Sequence, residues 1–165
     1  MELTREKSLQ LWQLLNSLSG QKTSAKGAYG ISKNRRILEV EREAVIDAQK
    51  SQMAELNSPD FLAFDQARID LCKEYADKDE NGNPVVQNNN FKILERNAEF
   101  LTALNELQEE PTNAAVLKTR KEKEDDFTKF MQESIEVDLH LIKVDDLPND
   151  MTAQQMDVLG DLVVE

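Results

Sequence analysis

The run Asp77-Lys78-Asp79-Glu80-Asn81-Gly82 sets oxygen donors at alternate positions before a glycine, as in the first half of a calcium-binding loop. Such a loop also needs a ligand at its ninth position and a bidentate glutamate at its twelfth. Val85 and Asn88 stand there instead. The residues beyond read as strand where that loop requires a helix, so the segment is expected to be a turn leading into a hairpin. Gly20-Gln21-Lys22-Thr23 echoes the end of a phosphate-binding loop, but the glycine that should precede it is missing and the preceding segment is helical.

Nucleophilic and metal chemistry find little to work with. His140 is the only histidine and Cys72 the only cysteine. That pair has no recognisable zinc spacing and supplies no assigned base for a Ser/His or Cys/His arrangement. A lone cysteine also forbids an internal disulfide, and a cytosolic thiol is the simplest reading. The 32 acids offer many carboxylate pairs without singling one out, so a small enzyme with an unrecognised carboxylate site stays a minor alternative. No catalytic, cofactor-binding or metal-ligating residue is assigned, and no cofactor is expected.

Charge is more informative. The 165 residues carry a formal charge of −12. Residues 1–58 hold nine Lys/Arg and seven Asp/Glu, whereas residues 59–165 hold 11 and 25. Lys22, Lys26, Lys33, Arg35 and Arg36 follow one another with no acid between them, and Arg120, Lys121 and Lys123 stud a second charged stretch. Opposed poles of this kind favour particular encounters, within one molecule or between molecules. The first cluster could also touch phosphates, with Tyr29 stacking on an unpaired base, although the acidic remainder repels a polyanion. No apolar run approaches the roughly 18 residues of a membrane-crossing helix, and the opening residues lack the pattern of a secretory leader.

The elements that must hold these residues are mostly helical. Leu3, Leu11, Trp12, Leu14, Leu15 and Leu18 form a stripe that Thr4 can cap, with Gly20 as a left-handed stop. Gln21–Gly30 is expected to be flexible, with a helix from Ile31 to about Asn57. Ser58-Pro59-Asp60 signals a restart, since serine caps and proline suits the first helical position. Phe61 to Tyr75 continues that helix. Pro84–Gln87 and Phe91–Ile93 around Asn88-Asn89-Asn90 form a short hairpin, and Leu94 to Leu104 a helix closed by Pro111. A charge-laced helix follows over Asn113–Glu133. Ile135, Val137, Leu139 and Leu141 then alternate with polar residues as in a strand covered on one face, and Thr152–Leu162 is a last short helix. The class is helix-rich α+β, several helices packed with a small antiparallel sheet formed by the hairpin and the late strand. Residues 1–148 are expected to form one domain, with 149–165 an acidic C-terminal segment carrying a short helix.

Several phrases resemble a family of small acidic proteins encoded by tailed bacteriophages and prophages. They are the leucine-rich opening helix, Lys26…Tyr29…Ile31-Ser32-Lys33-Asn34, the run from Glu74 to Asn83, and Glu136-Val137-Asp138-Leu139-His140…Lys143-Val144…Leu147. They occur in the family's order over about residues 3–148, and residues 95–118 depart from it as an insertion. The resemblance implies a phage origin and a shared fold; the family brings no activity or catalytic residues to carry over. It also implies a place in the host cytoplasm or within a virion.

Residues and resemblance together predict a non-enzymatic interaction or assembly component whose partner is another protein or a second copy. Lys22, Lys26, Lys33, Arg35, Arg36, Arg120, Lys121 and Lys123 are its candidate contact residues. A nucleic-acid-associated factor using Lys22–Arg36 is the second reading, and no membrane partner is expected.

Overall fold

A computed structural model describes all 165 residues. The chain runs β1 (Glu2–Thr4), α1 (Arg5–Leu18), α2 (Ala25–Leu56), α3 (Pro59–Tyr75), β2 (Val86–Gln87), β3 (Asn90–Phe91), α4 (Asn97–Glu109), α5 (Pro111–Gln132), β4 (Ser134–Glu136), β5 (Ile142–Lys143), α6 (Ala153–Leu159) and β6 (Val163–Val164). The fold is helix-rich α+β, with three two-stranded sheets. The chain divides into two compact units, Met1–Ser51 with Asp126–Glu165, and Gln52–Asp125.

In the first unit, Leu11, Leu15 and Leu18 recur at helical spacing and bury one face of α1 against Ile31 and Leu38 of α2. Each fully buried leucine contributes about 2 kcal/mol relative to exposure. Thr4 caps α1 as expected, its Oγ1 accepting from Lys7 N–H. Gly20 is not the left-handed stop: α1 closes through Ser19 N–H to Leu15 and Asn16 carbonyls, and only Gly82 and Gly160 among the glycines have positive φ. The C-terminal segment is no appendage, because Leu159 and Leu162 are fully buried in the same core. Thr152 and Gln155 build a capping box at the start of α6.

Of the flexible stretch expected over Gln21–Gly30, only residues 21–24 are a connection; from Ala25 on it is the first turns of α2, and Gly27 and Gly30 serve contact there. A Cβ on Gly27 would lie 1.7 Å from the Asp146 carbonyl oxygen, and one on Gly30 would lie 2.9 Å from Ile142 Cγ1. Glycine costs about 1 kcal/mol in a helix, and here it lets another backbone approach.

The hairpin and the late strand do not share a sheet. β4 pairs antiparallel with β1, Leu3 opposite Ile135, and the Met1 ammonium donates to the Val137 carbonyl at 2.8 Å. β5 pairs parallel with β6, Ile142 opposite Val163. Beyond Val137 the chain joins no ladder until β5, although Ile135, Val137 and Leu139 stay half-buried and Glu136, Asp138 and His140 exposed.

In the second unit, Ser58 caps α3 by accepting from Phe61 N–H, with Pro59 at its first turn. Tyr75 meets Phe100 of α4 at 6.1 Å between ring centres, and Arg96 lies over the Tyr75 ring. The hairpin β2–β3 turns on Asn88 and Asn89, both with positive φ, a conformation asparagine tolerates better than most residues. No helix is long and apolar enough to cross a membrane.

Candidate functional site

Helix α2 has two different long faces in the first unit. Ile31, Asn34, Leu38 and Val45 turn inward. Lys26, Tyr29, Lys33, Arg36 and Val40 follow one another at steps of three and four residues, so they share the exposed face. Tyr29 is 60% exposed and Val40 69%, large fractions for side chains of their kind.

The neighbouring 140–146 segment extends this surface. Asn34 is wholly buried and holds the segment: its Nδ2 donates to the His140 carbonyl and its Oδ1 accepts from His140 N–H, both at 2.7 Å. His140 then presents its ring edge-on to Tyr29, centres 5.7 Å apart at 85°. Lys26, Tyr29, His140, Leu141 and Lys143 line an open groove of about 510 Å³, with Asp146 at its end. A second hollow of about 450 Å³ continues along Tyr29, Ser32, Lys33 and Arg36.

Asp146 belongs to the helix end. Its carboxylate accepts from the Ser24 hydroxyl and its carbonyl from Thr23 Oγ1, while Ser24 Oγ accepts from Gly27 N–H. A negative charge therefore faces the positive end of α2, which has no acid in its own first turn.

The state of the cations sets this face apart. Elsewhere most basic side chains are engaged, Lys22 and Lys121 being the exceptions. Arg5 pairs with Glu41 and Glu133, Arg42 with Glu39, Arg68 with Asp65, Lys73 with Asp70, Lys92 with Asp77, Arg96 with Glu99, Lys118 with Glu122 and Lys129 with Asp126. Lys26, Lys33, Arg36 and Lys143 have neither an ion pair nor a side-chain hydrogen bond, and all four surround Tyr29 and the groove. For the three on α2, the absence of free acids at the appropriate spacing is the cause. Lys26 and Lys33 have none three or four positions away, and the Glu39 within reach of Arg36 is held by Trp12 Nε1 at 2.7 Å and by Arg42.

The other candidates from the sequence fall elsewhere. Lys22 is exposed in the α1–α2 connection. Arg35 is half-buried and donates to Asn16 Oδ1 and Ser19 Oγ at the end of α1, so helical phase removes it from the patch. Arg120, Lys121 and Lys123 lie in the second unit. Arg120 donates to the Leu56 carbonyl at 2.6 Å, pairs with Glu124 and covers the Phe61 ring at 3.9 Å; Lys123 pairs with Glu55, while Lys121 is exposed. Two of these three cations thus hold their own unit together. Lys143 and His140 were missed as members of the face, being over a hundred residues distant in sequence; the only hint was their place on either side of Leu141 and Ile142.

The Asp77–Gly82 run is a turn. Asp77 Oδ1 accepts from Leu94 and Glu95 N–H, and Asp79 Oδ1 accepts from Asn81 and Asn83 N–H. The Leu94 and then the Glu95 amide hold the Asp77 carboxyl below its ordinary range, and the Asn83 amide does so for Asp79. Cys72 is half-buried on α3, and no group of three or more His, Cys, Asp or Glu is placed to hold a metal ion.

Unengaged ammonium and guanidinium groups around an exposed aromatic ring suit carboxylate or phosphate oxygens beside an apolar contact. The chain matches no protein-family model, no curated protein and no solved structure.

Proposed function

We propose that this protein is a non-enzymatic interaction component that uses the exposed face of α2 to engage a carboxylate-bearing protein surface. One observation carries the reading: Lys26, Lys33, Arg36 and Lys143 stand unpaired around Tyr29 in a chain where most other cations are engaged. In a molecule of net charge −12 such a face selects an acidic partner through encounter rate and orientation more than through raw affinity. The setting proposed with it is the one the sequence resemblance implies, a phage virion or assembly contact in the host cytoplasm.

Reversing Lys26, Lys33 and Arg36 together to glutamate tests the role. Binding of poly-glutamate is expected to be salt-sensitive in the native chain and lost in the triple variant, with circular dichroism unchanged. Equal binding by both chains rejects the face.

Exposure of the Tyr29 ring among cations favours a second reading, an accessory factor that stacks an unpaired base. Retention of single-stranded DNA or RNA at low salt, falling steeply as salt rises, would support it. No retention of either polymer eliminates it.

A further inference from the structure

We propose that the partner of this face is a second copy of the chain, docked antiparallel along α2 about a two-fold axis at Val40. The proposal rests on the reading of α2 as an interaction face and names its occupant. Charge is ordered along the exposed stripe. Before Val40 stand Lys26, Lys33 and Arg36; after it stand Glu43 and Asp47, both exposed. Lys33 and Asp47 are each seven residues from Val40, about 10 Å along the axis on either side. Seven residues are close to two full turns, so all three share one line on the helix surface. A two-fold operation through Val40 that reverses the helix direction sets Lys33 against the second copy's Asp47 and, by symmetry, Asp47 against its Lys33. Val40 meets its own image, and Tyr29 meets Ser51 of the second copy.

A second observation points the same way. In α3 and α5 opposite charges alternate and pair at three or four residues, as Arg68 does with Asp65, Lys118 with Glu122 and Lys129 with Asp126. In α2 Arg42 pairs with Glu39 and Lys50 with Asp47 in the same way, but like charges are neighbours too. Lys33 lies three residues before Arg36, and Glu43 lies four after Glu39 and four before Asp47. Such spacing weakens an isolated helix. Glu43 has no cation within pairing distance, and Asp47 has only the highly exposed Lys50 at 3.3 Å. An antiparallel copy cancels both halves at once, and a two-fold interface requires that kind of self-complementarity. With one valine at its centre, the contact is weak and salt-sensitive.

The full chain carrying Lys33→Asp, the full chain carrying Asp47→Lys, and their equimolar mixture test the register by native mass spectrometry at low salt. The native chain is expected to form dimers that dissociate as salt rises. Each variant alone sets like charges opposite each other twice, and its dimer affinity is expected to fall about tenfold. In the mixture every such pair is again opposite in sign, so heterodimers of the two masses are expected to return. A native chain that stays monomeric overturns the proposal. So does a dimer indifferent to the single reversals, or a mixture without heterodimers. Poly-glutamate separates the two levels: a monomer that binds it in a salt-sensitive way sinks the self-pairing and leaves the cationic-face reading standing, and a monomer that does not bind it sinks both.

Discussion

Asn34 and His140 are joined by a reciprocal pair of hydrogen bonds in which one buried side chain amide serves both the N–H and the C=O of a backbone residue 106 positions away. The arrangement is that of one rung of a sheet, with a side chain in place of the second strand. It accounts for an odd stretch of chain. Beyond Val137, which exchanges backbone hydrogen bonds with Met1, the chain keeps the in–out alternation of a strand without a strand beside it, and at His140 Asn34 supplies the missing partner. The same clamp brings the His140 ring to Tyr29 and Lys143 to the groove, so packing of the core and composition of the candidate face are set by one residue.

Replacing Asn34 with alanine removes both bonds and leaves the part-buried amide and carbonyl of His140 without partners. The expected loss is about 2–3 kcal/mol of unfolding free energy. Asn34→Asp keeps the acceptor for His140 N–H but sets a carboxylate against its carbonyl, and is expected to destabilise at least as much at neutral pH. Urea titration followed by the single tryptophan, Trp12 in the first unit, reads both. A change below about 0.5 kcal/mol in either variant would contradict the clamp.

Three glycines rank themselves by what a methyl group would meet. Gly27→Ala drives Cβ into the Asp146 carbonyl, Gly30→Ala into the Ile142 side chain, and Gly20→Ala into open space. Alanine would otherwise favour the helix at the first two sites by about 1 kcal/mol. Gly27→Ala is therefore expected to be severely destabilising, Gly30→Ala less so because a side chain can shift, and Gly20→Ala close to neutral. Thermal melts of the three variants check the order, and the prediction fails if Gly27→Ala melts with the native chain.

That ranking also marks how far the sequence could be read. Helix starts were legible at Thr4, Ser58-Pro59 and Thr152 because capping is chemistry between near neighbours. The Asn88-Asn89 turn was legible for the same reason. Gly27 and Gly30 were misjudged, since a glycine reads as a helix breaker unless the Asp146 backbone pressing on it is known. The strand partners were equally hidden: β1, β5 and β6 are two or three residues each, too short for periodicity to register, and their pairing is decided by the core. For the candidate face, contiguity named Lys26, Lys33 and Arg36 correctly but carried Arg35 with them. Only helical phase separates Arg35, which turns to the end of α1.

Acid is expected to loosen the turn and hairpin of the second unit. The folded carboxyls of Asp77 and Asp79 titrate below their ordinary value of 3.8, because backbone amides bond the charged form. A depressed folded value means that the stabilisation is full above the unfolded value and drains away as pH falls through the folded one. Amide resonances of Leu94 and Glu95 are expected to hold steady above about pH 5 and to shift below about pH 4, with faster exchange. Asp77→Asn keeps an oxygen acceptor but cannot titrate, so it should flatten that dependence. An unchanged acid profile in Asp77→Asn would show that another group controls the turn.

The charge order along α2 carries a last consequence, one that separates binding from stability. Lys33 lies three residues before Arg36 and repels it, and Glu39, the one acid within reach of Arg36, is held by Trp12 and Arg42. Lys33→Glu turns that repulsion into an attraction at the same spacing. In dilute protein at low salt, where no partner contributes, the variant is expected to be more stable than the native chain by about 0.5 kcal/mol. The gain should shrink as salt screens the pair. The same substitution removes a cation from the candidate face and is expected to weaken poly-glutamate binding. Stability and binding would then move in opposite directions on one surface substitution, as they do where a residue is retained for contact at some cost to the isolated fold. Urea midpoints at two salt concentrations, measured beside poly-glutamate titrations, decide it: a variant that loses both stability and binding would place Lys33 among the residues that hold α2 in shape.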